Sequence, residues 1–304
     1  METVLVVDLG GTHTRVAVIG PQAVIADVVN TPTRRDDAHP DELFANIAKM
    51  RSQHEVARAV IGLPGRINYR EGRLEYAPNL PPTWAADLTV ERLRRLTGVP
   101  TMLANDADMA AAGEAYFGAG RDHRDVVFMT VSTGIGAGVI LDGRLVAGYR
   151  SGVEVGHVVI DREAARAGRP ATVEQLGAGP ALARAAAAAG VPERDAALVA
   201  RAESGDPQLA DCWEQVTEAV GLGAVALAHM FCPEVIVIGG GFGEASQGLR
   251  AAAEAAVAAR GPHELPRPIA VVPASLGHDA GLRGAAAWQQ AAGWQQAAGW
   301  QAVG

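Results

Sequence analysis

Two polar neighbours, Asn105 and Asp106 in "LANDADMAA", fall where the apolar run "VPTMLA" gives way to an alanine-rich stretch. The run predicts a buried strand and the alanines a helix. An amide and a carboxylate at such a junction can serve in two ways. They can cap the helix, whose first N–H groups lack partners within it. Alternatively, Asp106 can be a general base, placed rigidly by the strand end and kept ionised by the donors of the helix start.

Three glycine-rich turns carry the second chemical signal: "DLGGT" (8–12), "TVSTGIGAG" (130–138) and "IGGGFGE" (238–244). Glycine permits positive φ and lets backbone N–H groups approach an anion closely. In the first turn, Asp8 can hold a hydrated Mg²⁺ and Thr12 can donate to a phosphoryl oxygen, with Gly10 and Gly11 forming the bend. In the second, Ser132 and Thr133 offer hydroxyls, while Gly134, Gly136 and Gly138 keep the wall thin. Any one of these also reads as a plain hairpin turn. Three of them, each directly after a β-branched run, point to phosphate binding. There is no GxxxxGK[ST] sequence, so a P-loop is excluded. Glu244 stands where the third glycine of GxGxxG would fall, which leaves a dinucleotide-binding Rossmann site as a weak runner-up.

The elements that must position these groups follow from pattern. "VLVVDLGGTHTRVAVIG" and "AVIADVVNTPT" predict an antiparallel meander. "PDELFANIAKMRSQH" has helical spacing, "VARAVIGLPG" reads as a buried strand, and "LTVERLRRLTG" as a helix before the strand that ends at Asn105. The pattern restarts at "DVVFMTVSTGIGAGVILDGRLVAG", so the chain holds two related α/β halves. Helices dominate from about 172 to 231. "PEVIVIGGGFGEAS" reads as strand, turn and helix, "PIAVVPASLG" as a last strand and "DAGLRGAAAWQQ" as a last helix. In the tail, Trp288, Trp294 and Trp300 recur every six residues. Six residues turn a helix by about 240°, so they share no face. The stretch 293–304 reads as a low-complexity extension.

Composition bounds the function. The chain has 304 residues, 49% of them hydrophobic, and a net charge of −8. That is enough chain for one large or two medium domains. The acidic balance argues against nucleic acid or anionic membrane as partners. The apolar stretch 219–231 is too short to span a bilayer. The two cysteines, Cys212 and Cys232, have no metal-ligand spacing. They predict a reducing compartment and two buried small side chains. A cytoplasmic protein is expected.

Together "DLGGTHT", "IGLPGRI", "APNLPPTW", "ANDADMAAAGE", "TVSTGIGAGVILDGRL", "GVEVGH", "VIGGGFGEA" and "ASLGHDAGLRGAA" resemble, in order and from residue 3 to about 287, the ROK family of bacterial sugar kinases and repressors. The resemblance implies an α/β protein with the actin/hexokinase (ribonuclease H-like) fold, two lobes around a central cleft. The smaller lobe would comprise residues 1–106, with the helix at about 280–292 packing back on it, and the larger lobe residues 107–279. It implies ATP-dependent phosphorylation of a hexose, glucose at the 6-hydroxyl first, with Asp106 as general base. Asp8, Gly10, Gly11, Thr12, Thr133 and Gly134 would face the ATP phosphates, with Asp8 contacting Mg²⁺ indirectly. Gly240 and Gly241 would line the adenosine pocket. Gly65, Asn79, Asn105, Asp106, Glu154, His157 and Glu174 would hold the sugar. Read locally, Glu154 and His157 are ordinary surface or capping groups, and only the resemblance makes them ligands. A homodimer is usual in the family.

The sequence departs from the family pattern twice. Many members carry zinc after "GH", on one histidine and a CxCGxxGC run. Here "GHVVIDREAARAGRPATVEQ" contains no cysteine, so no zinc is expected, and packing or charge pairs must hold the loop. The family's repressors carry a helix-turn-helix segment before the first strand, whereas three residues precede Val4 here. A DNA-binding role is therefore not expected. The alternatives that stay open are N-acetylmannosamine, N-acetylglucosamine, mannose or fructose as the sugar, polyphosphate as the donor, or a sugar sensor without turnover.

Overall fold

The computed structural model describes residues 2–263 and 265–292. The expected low-complexity tail at 293–304 lies outside the described residues. The meander forms as expected. Strands β1 (Val4–Leu9), β2 (His13–Ile19) and β3 (Ile25–Pro32) pair antiparallel. Helix α1 (Asp41–Gln53) starts on Asp41 and Glu42, and it buries Leu43, Ile47 and Met50 at helical spacing. Strand β4 (Arg58–Leu63) is buried throughout. A hairpin absent from the sequence expectations follows, β5 (Arg66–Asn68) and β6 (Arg73–Tyr76). Next come the single turn α2 (Trp84–Asp87) and helix α3 (Val90–Thr97). Helix α3 is capped by the Thr89 side chain and closed by Gly98 in the left-handed conformation. Strand β7 (Thr101–Asn105) leads directly into α4 (Asp106–Phe117).

The second series repeats the arrangement. Strands β8 (Val126–Val131), β9 (Ile135–Leu141) and β10 (Arg144–Leu145) lead to α5 (Arg162–Arg166), α6 (Val173–Gly177), α7 (Gly179–Ala188), α8 (Asp195–Glu203) and α9 (Ala210–Phe231). Strand β11 (Val235–Gly239), α10 (Gly241–Ala245), α11 (Gln247–Arg260), β12 (Ala270–Pro273) and α12 (Ala280–Ala291) complete the described chain. The first five-stranded sheet has the order β3-β2-β1-β4-β7 and the second β10-β9-β8-β11-β12. Each begins with antiparallel pairing and continues parallel, which is the duplication that the sequence pattern predicts. The central strands β1 and β4 are apolar on both faces, apart from Asp8 and Arg58, because both of their faces are covered. The edge strand β3 alternates instead.

Contacts divide the chain into two compact units. Among the described residues, the first comprises those as far as Arg121, Ile140–Gly152 and those from Asp279 to Ala292; the second comprises Asp122–Val139 and the described residues of Val153–His278. The first unit takes in all of α4, the last two residues of β9, β10 and the residues that follow it. Within it, α12 packs on α4. Both cysteines depart from expectation. Cys212 is only partly buried and Cys232 is exposed. Cys212 sits in the first turn of α9, its thiol donating to Leu209 O at 3.2 Å. Cys232 has left the helix as its left-handed C-cap, which turns its side chain off the buried face.

Within the first unit, residues 149–151 lie along the β5–β6 hairpin. Asn68 bridges Arg150, Tyr69 N donates to Tyr149 O at 3.1 Å, and Ser151 N donates to Ile67 O at 2.9 Å. The Arg150 guanidinium grips both oxygens of Glu75, and this contact, joined by Asn68, lowers the Glu75 pKa below the ordinary carboxylate value. A depressed carboxylate contributes stability above its unfolded pKa and loses it as pH falls through the folded value. Glu75→Gln should therefore lower Tm at pH 7 by about 1–3 °C, since an exposed pair is worth little. The gap to the parent protein should close progressively below about pH 4.5. Melting curves from pH 3 to 7 check this, and a gap that is constant with pH would remove Glu75 from the acid response.

Candidate active site

In the first unit the predicted residues gather at the carboxyl ends of three adjacent parallel strands, where open α/β sheets bind ligands. Asp8 is the last residue but one of β1, β4 runs into the Pro-Gly loop and β7 ends at Asn105, with Asp8 paired to Gly62 and Leu63 to Asn105. Gly65 has φ +87°, and a Cβ there would lie 2.1 Å from Tyr76 O. Only glycine fits. Its carbonyl accepts from Asn105 Nδ2 at 2.9 Å. Asn79 is exposed and packs against Gly11, whose Cβ would meet Asn79 Cβ at 3.3 Å.

The Asn105–Asp106 junction divides its labour. Asn105 is the N-cap of α4: its Oδ1 accepts from Ala107 N at 3.0 Å and Asp108 N at 3.1 Å. With Nδ2 donating to Gly65 O, one amide hydrogen of Asn105 remains by count for a ligand. Asp106 is the first helical residue, half-buried, with Oδ1 accepting from Ala107 N at 2.9 Å. The cap is thus the amide and not the acid. The carboxylate stands at the positive end of a 12-residue helix, where an anion is favoured.

The "DLGGT" turn is tight. Gly10 N donates to His13 O at 2.9 Å, Thr33 Oγ1 to Gly10 O at 2.7 Å and Thr33 N to Thr12 O at 2.8 Å. The Thr12 side chain is exposed at its tip. Sequence reasoning did not assign Arg15 or Asp279. Arg15 Nη2 lies 2.6 Å from Asp8 Oδ2, and Nη1 lies 3.1 Å from Asp279 Oδ1. The β1–β2 register places Arg15 directly opposite Asp8, which is the signal the sequence held. Carboxylate oxygens are the hard donors that Mg²⁺ takes, usually one or two beside phosphate oxygens and water. Asp8 fits such a role, and Arg15 already offsets its charge.

In the second unit the sugar-ligand candidates adjoin the "STGIG" turn. Glu174 stands in the first turn of α6, presented by a full capping box of Thr172 and Gln175. Its Oε2 accepts from Ile135 N at 2.8 Å and would lie 2.6 Å from a Cβ on Gly134. Glu174 therefore holds this turn closed. Gly156 sits behind it, where a Cβ would lie 2.1 Å from Ile135 O and 3.2 Å from Glu174 Cβ. Glu154 and His157 flank Gly156, with His157 Nε2 at 3.7 Å from Glu154 Oε2 and both side chains exposed. Thr133 lies at the open tip of the turn. Gly240 has φ +81°, and a Cβ would lie 2.5 Å from Thr130 Oγ1. Gly241 opens toward Ser132, whose carbonyl accepts from Gly179 N at 2.9 Å.

The segment after His157 is closed by backbone pairing that the sequence did not reveal. Val159 bridges Thr172, Ile160 N donates to Ala171 O at 2.8 Å, and Asp161 caps α5. Ala164 and Ala171 are buried, and Glu163 pairs with Arg162 and Arg166 at the surface. The donor set offers His157 and no thiol, and among the described residues no group of three or more His, Cys, Asp or Glu is arranged to hold a metal. These residues do not fit a tetrahedral zinc. Among the described residues no helix is long and apolar enough to cross a membrane.

Comparison with known proteins gives consistent likenesses. The profile of the ROK family matches residues 4–292. The glucokinase of Streptomyces coelicolor is 30% identical over 260 residues, 78% of this chain and 81% of that protein. The N-acetylmannosamine kinase of Salmonella arizonae is 32% identical over 302 residues, 95% of this chain and 98% of that protein. A solved ROK family glucokinase from Streptomyces griseus, in complex with glucose and AMPPNP, superposes with a TM-score of 0.76 at 27% identity, over 93% of this chain and 98% of that one. The fold is the actin/hexokinase-like one, as the sequence resemblance implies.

Proposed function

Because this chain belongs to the ROK family, we propose that it is an ATP-dependent sugar kinase acting on a hexose, with glucose at the 6-hydroxyl as the first substrate. The observation that carries this reading is the division of labour at the α4 start. Asn105 does the capping, so Asp106 is not needed as a cap and can serve as the base. Asp106 takes the proton of the attacking hydroxyl as its oxygen bonds to the γ-phosphorus. The bond from that phosphorus to the β–γ bridging oxygen breaks, and ADP leaves with the electron pair.

Asn105, through its remaining amide hydrogen, and Gly65, Asn79, Glu154, His157 and Glu174 orient the sugar. Asp8, Gly10, Gly11, Thr12, Thr133 and Gly134 receive the phosphates, and Gly240 and Gly241 the adenosine. Bound Mg²⁺ supplies charge neutralisation at the phosphate oxygens. Asp8, paired with Arg15, is the carboxylate that would hold it through water. A cytoplasmic homodimer belongs to the same reading.

A second sugar has a specific observation behind it. The N-acetylmannosamine kinase matches along almost the whole of both chains. A coupled ADP-release assay with Mg-ATP on glucose, mannose, fructose, N-acetylglucosamine and N-acetylmannosamine decides. Turnover on glucose well above the others supports the first reading, and a preference for N-acetylmannosamine supports the second. No turnover on any of them, with ATP or polyphosphate, would sink the kinase reading in favour of a sensor.

A further inference from the structure

Tyr69 lies in the loop after β5, far in sequence from the α4 start, and its ring is buried beside Trp288 with centroids 6.4 Å apart. Its hydroxyl makes two hydrogen bonds. It accepts from Asn105 N at 3.1 Å and donates to Asp108 Oδ2 at 2.8 Å. Asp108 is fully buried and is the third residue of α4.

These bonds complete a cap that the helix cannot complete alone. In a capping box the N-cap side chain accepts from the backbone of the third helical residue. That residue's Glu or Gln side chain then returns a bond to the N-cap N–H. Asn105 Oδ1 and Asp108 N make the first half. Asp108 is one methylene shorter than Glu, and the Tyr69 hydroxyl fills the gap, joining its carboxylate to Asn105 N. Burial, with the neighbouring Asp108 charge, pushes the Tyr69 pKa well above that of an ordinary phenol. The hydroxyl stays protonated and keeps donating.

Asp106 stands between the two residues that this hydroxyl ties together. We propose that Tyr69 is a positioning residue for Asp106, relaying the α4 cap from Asp108 to Asn105 and so fixing the carboxylate against the attacking hydroxyl. The proposal rests on the kinase reading only in naming Asp106 as the base; the relay itself needs no substrate.

The test separates the two. Amide hydrogen exchange over residues 103–109, in protein without substrate, reads the relay. Tyr69→Phe keeps the ring and removes the bridge, so exchange there should quicken about tenfold or more, as local opening becomes easier. Turnover, measured well below the variant's Tm, should fall about tenfold with the sugar KM changed less than threefold, because small misplacements of reacting groups are costly. Adding Asp108→Glu to Tyr69→Phe exchanges the lost oxygen for a methylene and lets the carboxylate reach Asn105 N directly. Protection and turnover should both recover. Unchanged protection in Tyr69→Phe overturns the relay. Lost protection with full turnover overturns the positioning role, and so does a double variant that regains protection without turnover. Inactivity of the parent protein on every sugar instead overturns the kinase reading, while the exchange measurement still decides the relay.

Discussion

Asp106→Ala is expected to lower turnover by about 10²–10⁴, the usual worth of a positioned general base. The fold should survive, because the helix-capping bonds come from Asn105 and not from the residue removed. The loss is a favourable charge at the helix start, about 0.3–1 kcal/mol, and one bond from Ala107 N, which Asn105 Oδ1 also accepts. Tm should therefore drop by only about 1–4 °C. Sugar binding should persist, weakened by one hydrogen-bond acceptor. Coupled turnover, titration calorimetry with the sugar and a melting curve measure the three quantities on one preparation. Near-parental turnover would mean that another group takes the proton. An unfolded variant would mean that the division of labour between Asn105 and Asp106 is misread.

That division explains what the sequence could and could not disclose. The junction of strand, amide, acid and helix is written within nine residues, and so are the three glycine turns. Each depends on local backbone demands, such as the positive φ of Gly240 or the close approach of Gly10 to His13 O. The partners that lock these pieces are remote. Tyr69 reaches Asn105 over 36 residues and Glu174 reaches Ile135 over 39. No periodicity announces such pairs. The β5–β6 hairpin was silent for a related reason. Its strands are three and four residues long, too short for alternation to stand out. The same holds for the unit boundary. Residues 140–152 join the first unit through remote partners, Tyr116 of α4 donating to Gly143 O and residues 149–151 lying on β5 and its loop, which the restarting strand pattern around them conceals. The cysteines failed differently. Residue type predicts burial on average, but a place in the first turn or at the C-cap of α9 overrides the average.

Gly284→Ala should be the most damaging small substitution in the first unit. Helices α4 and α12 cross with their backbones almost in contact. A Cβ on Gly284 would lie 1.8 Å from Met109 O and 2.6 Å from Gly113 N, and one on Gly113 would lie 2.0 Å from Ala280 O. The obstacles are main-chain atoms, so no side-chain rotation relieves them, and the helices must separate. Overpacking typically costs about 1–3 kcal/mol, with larger values where nothing yields. This site belongs at the upper end, so a loss of about 3 kcal/mol is expected, or roughly 6–12 °C in Tm. Gly148→Ala is the control, since a Cβ there meets nothing within 4 Å. It should stay within about 0.5 kcal/mol of the parent. Separation of the two helices also carries a functional cost. Helix α12 brings Trp288 against Tyr69, its N-cap Asp279 pairs with Arg15, and α4 begins with Asp106. Residual folded Gly284→Ala should therefore turn over sugar more slowly per folded molecule, as denaturant titration and active-fraction assays together can show. Parental stability would mean that the α4–α12 crossing is looser than drawn, and with it the support beneath the proposed base.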